Sequence, residues 1–468
     1  MPGGLLPGLR SPYDARHQGP EGTGVPPRRI VILGAAGRDF HVHNTVFRDD
    51  PDVEVVAFTA AQIPGIDGRT YPPSLAGPHH PHGIPIRSED DLEDLVATHG
   101  VTEVVHAYSD LSHLDVMHAA SRVLATGADF RLIGPDASML QSRVPVVAVC
   151  AVRTGCGKSQ TSRRVARVLL DAGLRPVLIR HPMPYGDLER MRVQRFASLA
   201  DIDASDPTIE EREEYETPVE MGMVVYAGVD YTQILAAAQE EADVIIWDGG
   251  NNDLPFIRPD VHVTVADPLR PGHELAYHPG ETNLRLADIV VINKVADADP
   301  QDLRTVASNI RVLNPGATVV RANSPVTLEA GASLAGKRVV VVEDGPTITH
   351  GGMPYGAGTV AARDAGVAEI VDPRPWAVGT IAATYAAYPD IGPVVPAMGY
   401  GARQVGDLAA TLQAAACDVV ISGTPIDLTR IVDAGHPVRR ATYELVEEGD
   451  PDLATALAGH LAAWTRDR

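Results

Sequence analysis

The chain has 468 residues, a formal net charge of −22 and an apolar fraction of 44%. That length supplies two to four domain cores, and that charge excludes a general binder of nucleic acid or of anionic membrane while leaving room for a local cationic pocket. No apolar run reaches the roughly 18 residues of a membrane-spanning helix. The three cysteines, Cys150, Cys156 and Cys417, have neither metal-ligand nor disulfide-framework spacing, which points to a reducing cytoplasm.

Residues 1–27 are rich in Pro and Gly and lack an apolar segment. They read as a disordered extension rather than a signal peptide. From Arg28, RRIVIL predicts a buried strand that runs into a Gly34-x-x-Gly37 turn. EVVAFTA and VTEVVHAYSD predict two more strands, followed by a helix over 114–126 and a short strand over 130–133. The alternation predicts a Rossmann-like α/β domain over 28–144, although its first turn lacks the full dinucleotide fingerprint. Arg38, Asp39, His41, His43 and Asn44 follow the first turn, and Ser109, Asp110, Ser112 and His113 follow the third strand. Both sets fall at carboxyl ends of parallel strands, where open α/β sheets bind ligands. Their spacing suits an anion better than a metal.

A second domain is predicted over 145–334. It opens with an apolar strand, the loop VRTGCGKSQT and an amphipathic helix, the context in which backbone N–H groups cradle nucleotide phosphates. Val152 stands where the strict P-loop has Gly, and the shorter form that opens with a basic residue, Arg153, is met. Gly155, Cys156 and Gly157 form the cradle. Lys158 neutralises phosphate oxygens, and the Ser159 hydroxyl, next to Gln160, binds Mg²⁺. Only three lysines occur, Lys158, Lys294 and Lys337. In a chain that otherwise uses arginine, Lys158 and Lys294 mark sites that need a compact ammonium.

The strand VIIWD ends in Asp248, an acid placed as a Walker B residue to hold Mg²⁺. Gly249, Gly250, Asn251, Asn252 and Asp253 follow, small and polar enough to approach a substrate anion. IVVIN ends in Asn293-Lys294, but Ala296 replaces the guanine-reading acid and Asp297 comes one residue late, which favours ATP over GTP. Ser324-Pro325 forms the opposite wall of the base pocket. Arg180, His181, Tyr185 and Asp187 follow the strand PVLIR, where a cationic pair suits a second phosphorylated ligand. The acidic stretch over 210–220 reads as a solvated face. Residues 335–468 predict a further α/β region, opening with KRVVVVEDGPTITHGGMPYGAGT and continuing through a helix over 402–416. The fold class is therefore α/β: a parallel-sheet P-loop NTPase core with a Rossmann-like N-terminal domain and an additional C-terminal α/β region.

Together, GAAGRDFH, YSDLSH, RTGCGKS, RHPMPYGDL, WDGGNND and EDGPTITHGGMPYGAG resemble the cyclic 2,3-diphosphoglycerate synthetase family from residue 28 to the end. The resemblance implies an ATP- and Mg²⁺-dependent ligase that closes the two phosphates of 2,3-diphosphoglycerate into an intramolecular pyrophosphate, releasing ADP and phosphate. In that reading Lys158, Arg153, Asp248, Arg180 and His181 carry the chemistry. The loop over 155–160 with Asn293 and Lys294 holds ATP, and Ser159 and Asp248 hold Mg²⁺. Arg38, His41, His113, Tyr185, Asn251 and Asn252 contact the substrate. It also implies a cytoplasmic homodimer in which Arg153 reaches nucleotide across the interface, with no nucleic-acid or membrane partner. Two further readings stand beside it: an ATP-dependent kinase or ligase for another small anionic metabolite, and a regulatory P-loop NTPase. The supply of cations and histidines beyond the nucleotide site favours the enzymes.

Overall fold

The computed structural model describes residues 27–61, 68–181, 186–205, 207–250, 253–349, 351–397 and 402–465. Of the extension expected over 1–27, only the last residue falls among them. Three α/β units follow one another, each built on its own largely parallel sheet.

The first sheet has the order Thr70–Tyr71, Ile84–Ser88, Val53–Ala60, Arg28–Leu33, Glu103–His106, Asp129–Leu132. All pairings are parallel except that of the short edge strand Thr70–Tyr71. Ile30, Val31, Ile32 and Leu33 are all buried, the mark of a central strand covered on both faces.

The second sheet has nine strands. From one edge they are Gln194–Phe196, Val224–Ala227, Pro176–Arg180, Val244–Asp248, Val146–Ala151, Val261–Ala266, Ile289–Ile292, Thr318–Asn323 and Val446–Glu447. The two edge strands pair antiparallel and the rest are parallel. Every residue of Val146–Ala151 is buried. The helix Lys158–Asp171 lays Val165, Val168 and Leu169 on this sheet and turns Arg163, Arg164 and Arg167 away from it. Arg164 pairs with Glu447 at 2.7 Å, and Arg163 donates to the Tyr443 carbonyl at 3.1 Å. The C-terminal helix Leu453–Trp464 buries Leu453 and Leu457 in the same core, so the end of the chain returns to the P-loop sheet.

The third sheet has the order Val326–Leu328, Val438–Tyr443, Val419–Gly423, Arg338–Asp344, Glu369–Ile370, with Val395–Ala397 also paired to Arg338–Asp344. It thus takes its first strand from before residue 335 and gives up Val446–Glu447 to the second sheet. The first two units are joined by a two-stranded ribbon, Leu111–Ser112 with Tyr277–His278, and by a bridge between Leu140 and Ile257. Residues from all three units line one cleft of about 1580 Å³.

Candidate active site

The P-loop forms as its glycines require. Gly155 and Gly157 adopt φ of +81° and +108°, conformations open to Gly at little cost. A Cβ on Gly157 would also collide with the amides of Asn293 and Gln160. Behind the loop, Asn293 Nδ2 donates to the Cys156 carbonyl at 2.9 Å. Lys294 Nζ donates to the Gly155 carbonyl at 2.7 Å and pairs with Asp267 at 2.7 Å. Asn293 and Lys294 therefore brace the loop. The wall beyond them is formed by Asp297, Ser324 and Pro325, and Ser324 Oγ donates to Gln160 Oε1 at 3.0 Å. Cys156 is buried beside Arg270, and burial pushes its thiol up to about 11, so it is a small loop residue rather than a reactive one.

A charge chain runs beneath the loop. Lys158 Nζ pairs with Asp248 Oδ1, Arg180 pairs with Asp248 Oδ2, and Arg180 also pairs with Glu214. Burial alone would raise the Asp248 carboxyl; Arg180 and Lys158 overcome it and hold the group below its ordinary value. Burial lowers Lys158 in spite of Asp248. Two cations and two carboxylates leave this chain neutral. Asp248 and Ser159 line one recess beside Lys158. One carboxylate and one hydroxyl are hard oxygen donors, and they fit a Mg²⁺ that completes its shell with phosphate oxygens and water. Among the described residues no group of three or more His, Cys, Asp or Glu is arranged to hold a metal by itself.

Arg180 is 1% exposed and turned toward Asp248 and Glu214, so it lines the recess beside Ser159 rather than the main cleft. Arg153 is 5% exposed. Its guanidinium pairs with Asp110 at 3.0 Å and lies 3.8 Å over the Tyr277 ring, so these partners are in its own chain. Asp110 holds φ of 60°, a left-handed conformation that Asp tolerates at a cost on the order of 1 kcal/mol.

His181 does line the cleft, packed against Gly37 and Gly250. Behind it Asp253 is 3% exposed, accepts a hydrogen bond from Ser109, and lies 3.9 Å from His181 Nε2. Burial raises the Asp253 carboxyl to about 7 against the opposing pull of Arg38. Arg38 itself is buried and donates to the Ile133 carbonyl at 3.3 Å. His41 bonds the Ser138 carbonyl at 2.7 Å, which requires a proton on Nε2, and stacks flat on Phe256 at 4.0 Å. Burial lowers it to about 3, so it is a neutral packing group between domains. His113 begins the helix His113–Ala125 and pairs with Glu281 at 3.7 Å. The expected substrate contacts Arg38, His41 and His113 therefore stand behind or beside the cleft. Among the described residues of the first domain, Ser109 and Asp110, with Ala36 and Leu111, line it. Tyr185, Asn251 and Asn252 lie outside the described residues.

The far wall comes from the C-terminal region and was not singled out by the sequence. Glu343, at the end of VVVVE, is fully buried, accepts from the N–H groups of Gly356, Gly358 and Thr359 at 2.7–3.0 Å, and accepts from the Thr359 hydroxyl at 2.8 Å. Its signal was the one that identified Asp248, an acid closing an apolar strand before a Gly-containing turn. Glu214, from the stretch read as a solvated face, lines the cleft. Glu211 instead caps its own helix with Thr208. Among the described residues the cleft lining carries six carboxylates, Asp110, Glu214, Asp297, Glu343, Asp344 and Asp364, and four permanent cations, Arg153, Lys158, Arg163 and Lys294, with Asp110 paired to Arg153 and Glu214 to Arg180 beneath it.

No family model matches the chain. The chain is 58% identical over 430 residues to the arginine synthetase ArcE of Thermococcus kodakarensis, an alignment that covers 92% of this chain and 96% of that protein. Among solved structures, it is similar to LpxK from Aquifex aeolicus in complex with ATP, at 13% identity, 79% coverage of this chain, 99% of that chain and a TM-score of 0.43. It is also similar to the hydrogenase maturation factor HypB from Archaeoglobus fulgidus, at 17% identity, 38% and 81% coverage and a TM-score of 0.26. The relative's name overturns the expected formation of cyclic 2,3-diphosphoglycerate. Among the described residues, Arg180 is held beneath the loop by Asp248 and Glu214, so its charge is already committed and is not offered to a second phosphorylated ligand.

Proposed function

The chain belongs to the family of the arginine synthetase ArcE, and on that premise we propose that it forms arginine by ATP-dependent amination of citrulline. Arginine differs from citrulline by one nitrogen in place of the ureido oxygen. A P-loop supplies what that exchange lacks, a way to turn the oxygen into a leaving group. Transfer of the γ-phosphoryl group to the ureido oxygen gives an O-phosphoisourea, and ammonia then displaces phosphate at the same carbon. The products are arginine, ADP and phosphate.

The observation that carries this reading is the charge of the cleft, cationic at the P-loop and anionic on the far wall. A neutral ureido end fits beside the phosphates, and the α-ammonium of an amino acid fits near the carboxylates of the C-terminal region. Gly155, Gly157 and Lys158 hold the triphosphate, with Asn293 and Lys294 fixing the loop. Ser159 and Asp248 would hold Mg²⁺, which would supply neutralisation of phosphate charge. Arg153, fixed by Asp110 and Tyr277, stands at the edge where charge develops on the transferring group. The nitrogen enters as free ammonia. Among the three cysteines, Cys150 and Cys156 are buried with thiols raised by burial, and the Cys417 thiol is raised too. None is suited to thiolate attack on a glutamine amide.

The test is product formation from ATP, citrulline and ammonium, followed by mass spectrometry with ¹⁸O in the ureido group. Arginine should appear, with the label in inorganic phosphate. ADP release that ignores citrulline would leave a different metabolite or a regulatory NTPase.

A further inference from the structure

We infer that the buried cluster of Asp253, Ser109 and His181 is an ammonium site, where Asp253 takes the proton that ammonium must lose before it can attack. The inference rests on the proposed amination reading. At neutral pH ammonia is almost wholly ammonium, which has no lone pair, so the second half of the reaction needs a base beside the P-loop.

Three strand ends from two domains meet there. Ser109 follows Glu103–His106 of the first sheet, while His181 follows Pro176–Arg180 and Asp253 follows Val244–Asp248 in the second. Ser109 and His181 face the cleft, together with Lys158 of the P-loop, and Asp253 lies directly behind them. One Asp253 oxygen is occupied by the Ser109 hydroxyl. The other lies 3.9 Å from His181 Nε2, too far for a direct hydrogen bond.

Asp253 lies near the buried guanidinium of Arg38, whose charge it helps to offset, and its carboxyl also meets Ser109 and His181 at the edge of the cleft. Among the described residues its one side-chain hydrogen bond comes from Ser109, and the cationic Arg38 makes its own bond to the Ile133 carbonyl. Among the described residues, the charged and titratable groups that act on Asp253 are Arg38 and Asp39 from the first turn, Lys158 from the P-loop, His181, Tyr231 and Cys150, whose thiol also donates to the Asp253 carbonyl. Burial outweighs the cations and leaves the carboxyl near 7, the range in which a base both exists at neutral pH and accepts a proton.

In the step, ammonium gives one proton to the Asp253 carboxylate. The freed lone pair forms the new C–N bond at the phosphorylated ureido carbon. The C–O bond to phosphate breaks, its electron pair leaves with phosphate, and the proton held on Asp253 passes to that phosphate. Phosphoisourea and ammonium thus become arginine and hydrogen phosphate, with no other reactant.

The experiment compares ammonium with hydroxylamine, which is neutral at pH 7 and needs no base, in the full-length wild type and in Asp253→Asn. Ammonium-dependent turnover of the variant should fall about a hundredfold or more, the upper range for a lost general base, while hydroxylamine, whose attacking nitrogen itself sheds the proton that the leaving phosphate takes up, should keep its turnover within a few fold. Ammonium turnover retained by the variant, or both nucleophiles lost together in a folded variant, would overturn the assignment. Should Asp253→Asn fail to fold, the wild type decides. Its rate with ammonium should rise through an ionisation near 7 that is absent with hydroxylamine, and identical profiles would overturn it. A wild type that aminates citrulline with neither nucleophile refutes the proposed function instead.

Discussion

The imidazole of His181 occupies the space that a Cβ on Gly37 would fill. Gly37 closes the first turn of the N-terminal domain, and His181 follows a strand of the P-loop sheet, so this approach sets how closely the two domains meet at the cleft. The backbone of Gly37 is extended, with φ of −173°. The demand for glycine here is steric rather than conformational. On the other side Gly250 presses against the same ring, where a Cβ would lie 3.2 Å from it, so the imidazole has little room to retreat.

Gly37→Ala should therefore displace His181 and separate the first-domain wall from the P-loop. A shift on the order of 1 Å costs catalysis up to about a hundredfold. Arginine formation should fall by about tenfold to a hundredfold while ATP affinity stays near wild type, because no P-loop contact is touched. Equal activity of the variant in a steady-state assay would show that this contact does not shape the site.

Lys158→Ala should lower turnover by about a hundredfold or more, the scale for removing a preorganised charge from the transition state. Lys158→Arg should not restore it, since the planar group does not fit a loop built around an ammonium. Steady-state ADP release with citrulline and ammonium measures both, and a near wild-type rate for Lys158→Ala would dismiss the P-loop as the catalytic centre.

Arg180→Met separates a structural role from a substrate-binding one. With the guanidinium gone, Asp248 and Glu214 remain buried with fewer cations between them, and an uncompensated buried charge costs about 3–5 kcal/mol. Chemical denaturation should show that loss, and adding Glu214→Gln should recover part of it. Unchanged stability with a raised KM for citrulline would place Arg180 in the substrate site after all.

The three-sheet α/β architecture was legible in the sequence because the apolar runs were strong. RRIVIL, VIIWD and IVVIN are buried strands, and the Gly-rich turn before Lys158 fixes a P-loop whatever its ligand. Side-chain direction was not legible. Arg180 and His181 are neighbours in sequence and lie at a strand end, so one turns under the sheet to Asp248 while the other faces the cleft. His41 looked like an anion ligand by type, but its burial against Phe256 makes it packing material. The substrate was misread because motif resemblance reports the shared loops, whereas the charge of the far wall arises from Glu343, Asp344 and Asp364, brought in by the third sheet.

Asp253 links the site to stability with a definite sign. Its carboxyl stands at about 7 in the folded chain against an ordinary 3.8, with burial as the main cause. The folded state binds this proton more tightly than the unfolded state does. The contribution is thus fully present below about pH 4, is lost as pH rises toward 7, and is constant above that. At 1.36 kcal/mol per pKa unit, the loss is on the order of 4 kcal/mol. Asn keeps an acceptor for the Ser109 hydroxyl and cannot ionise. Asp253→Asn should therefore match the wild type in stability near pH 4 and exceed it near pH 8. Denaturation curves across that range measure the difference, and parallel pH profiles for the two proteins would mean that the buried carboxyl does not titrate as its surroundings dictate.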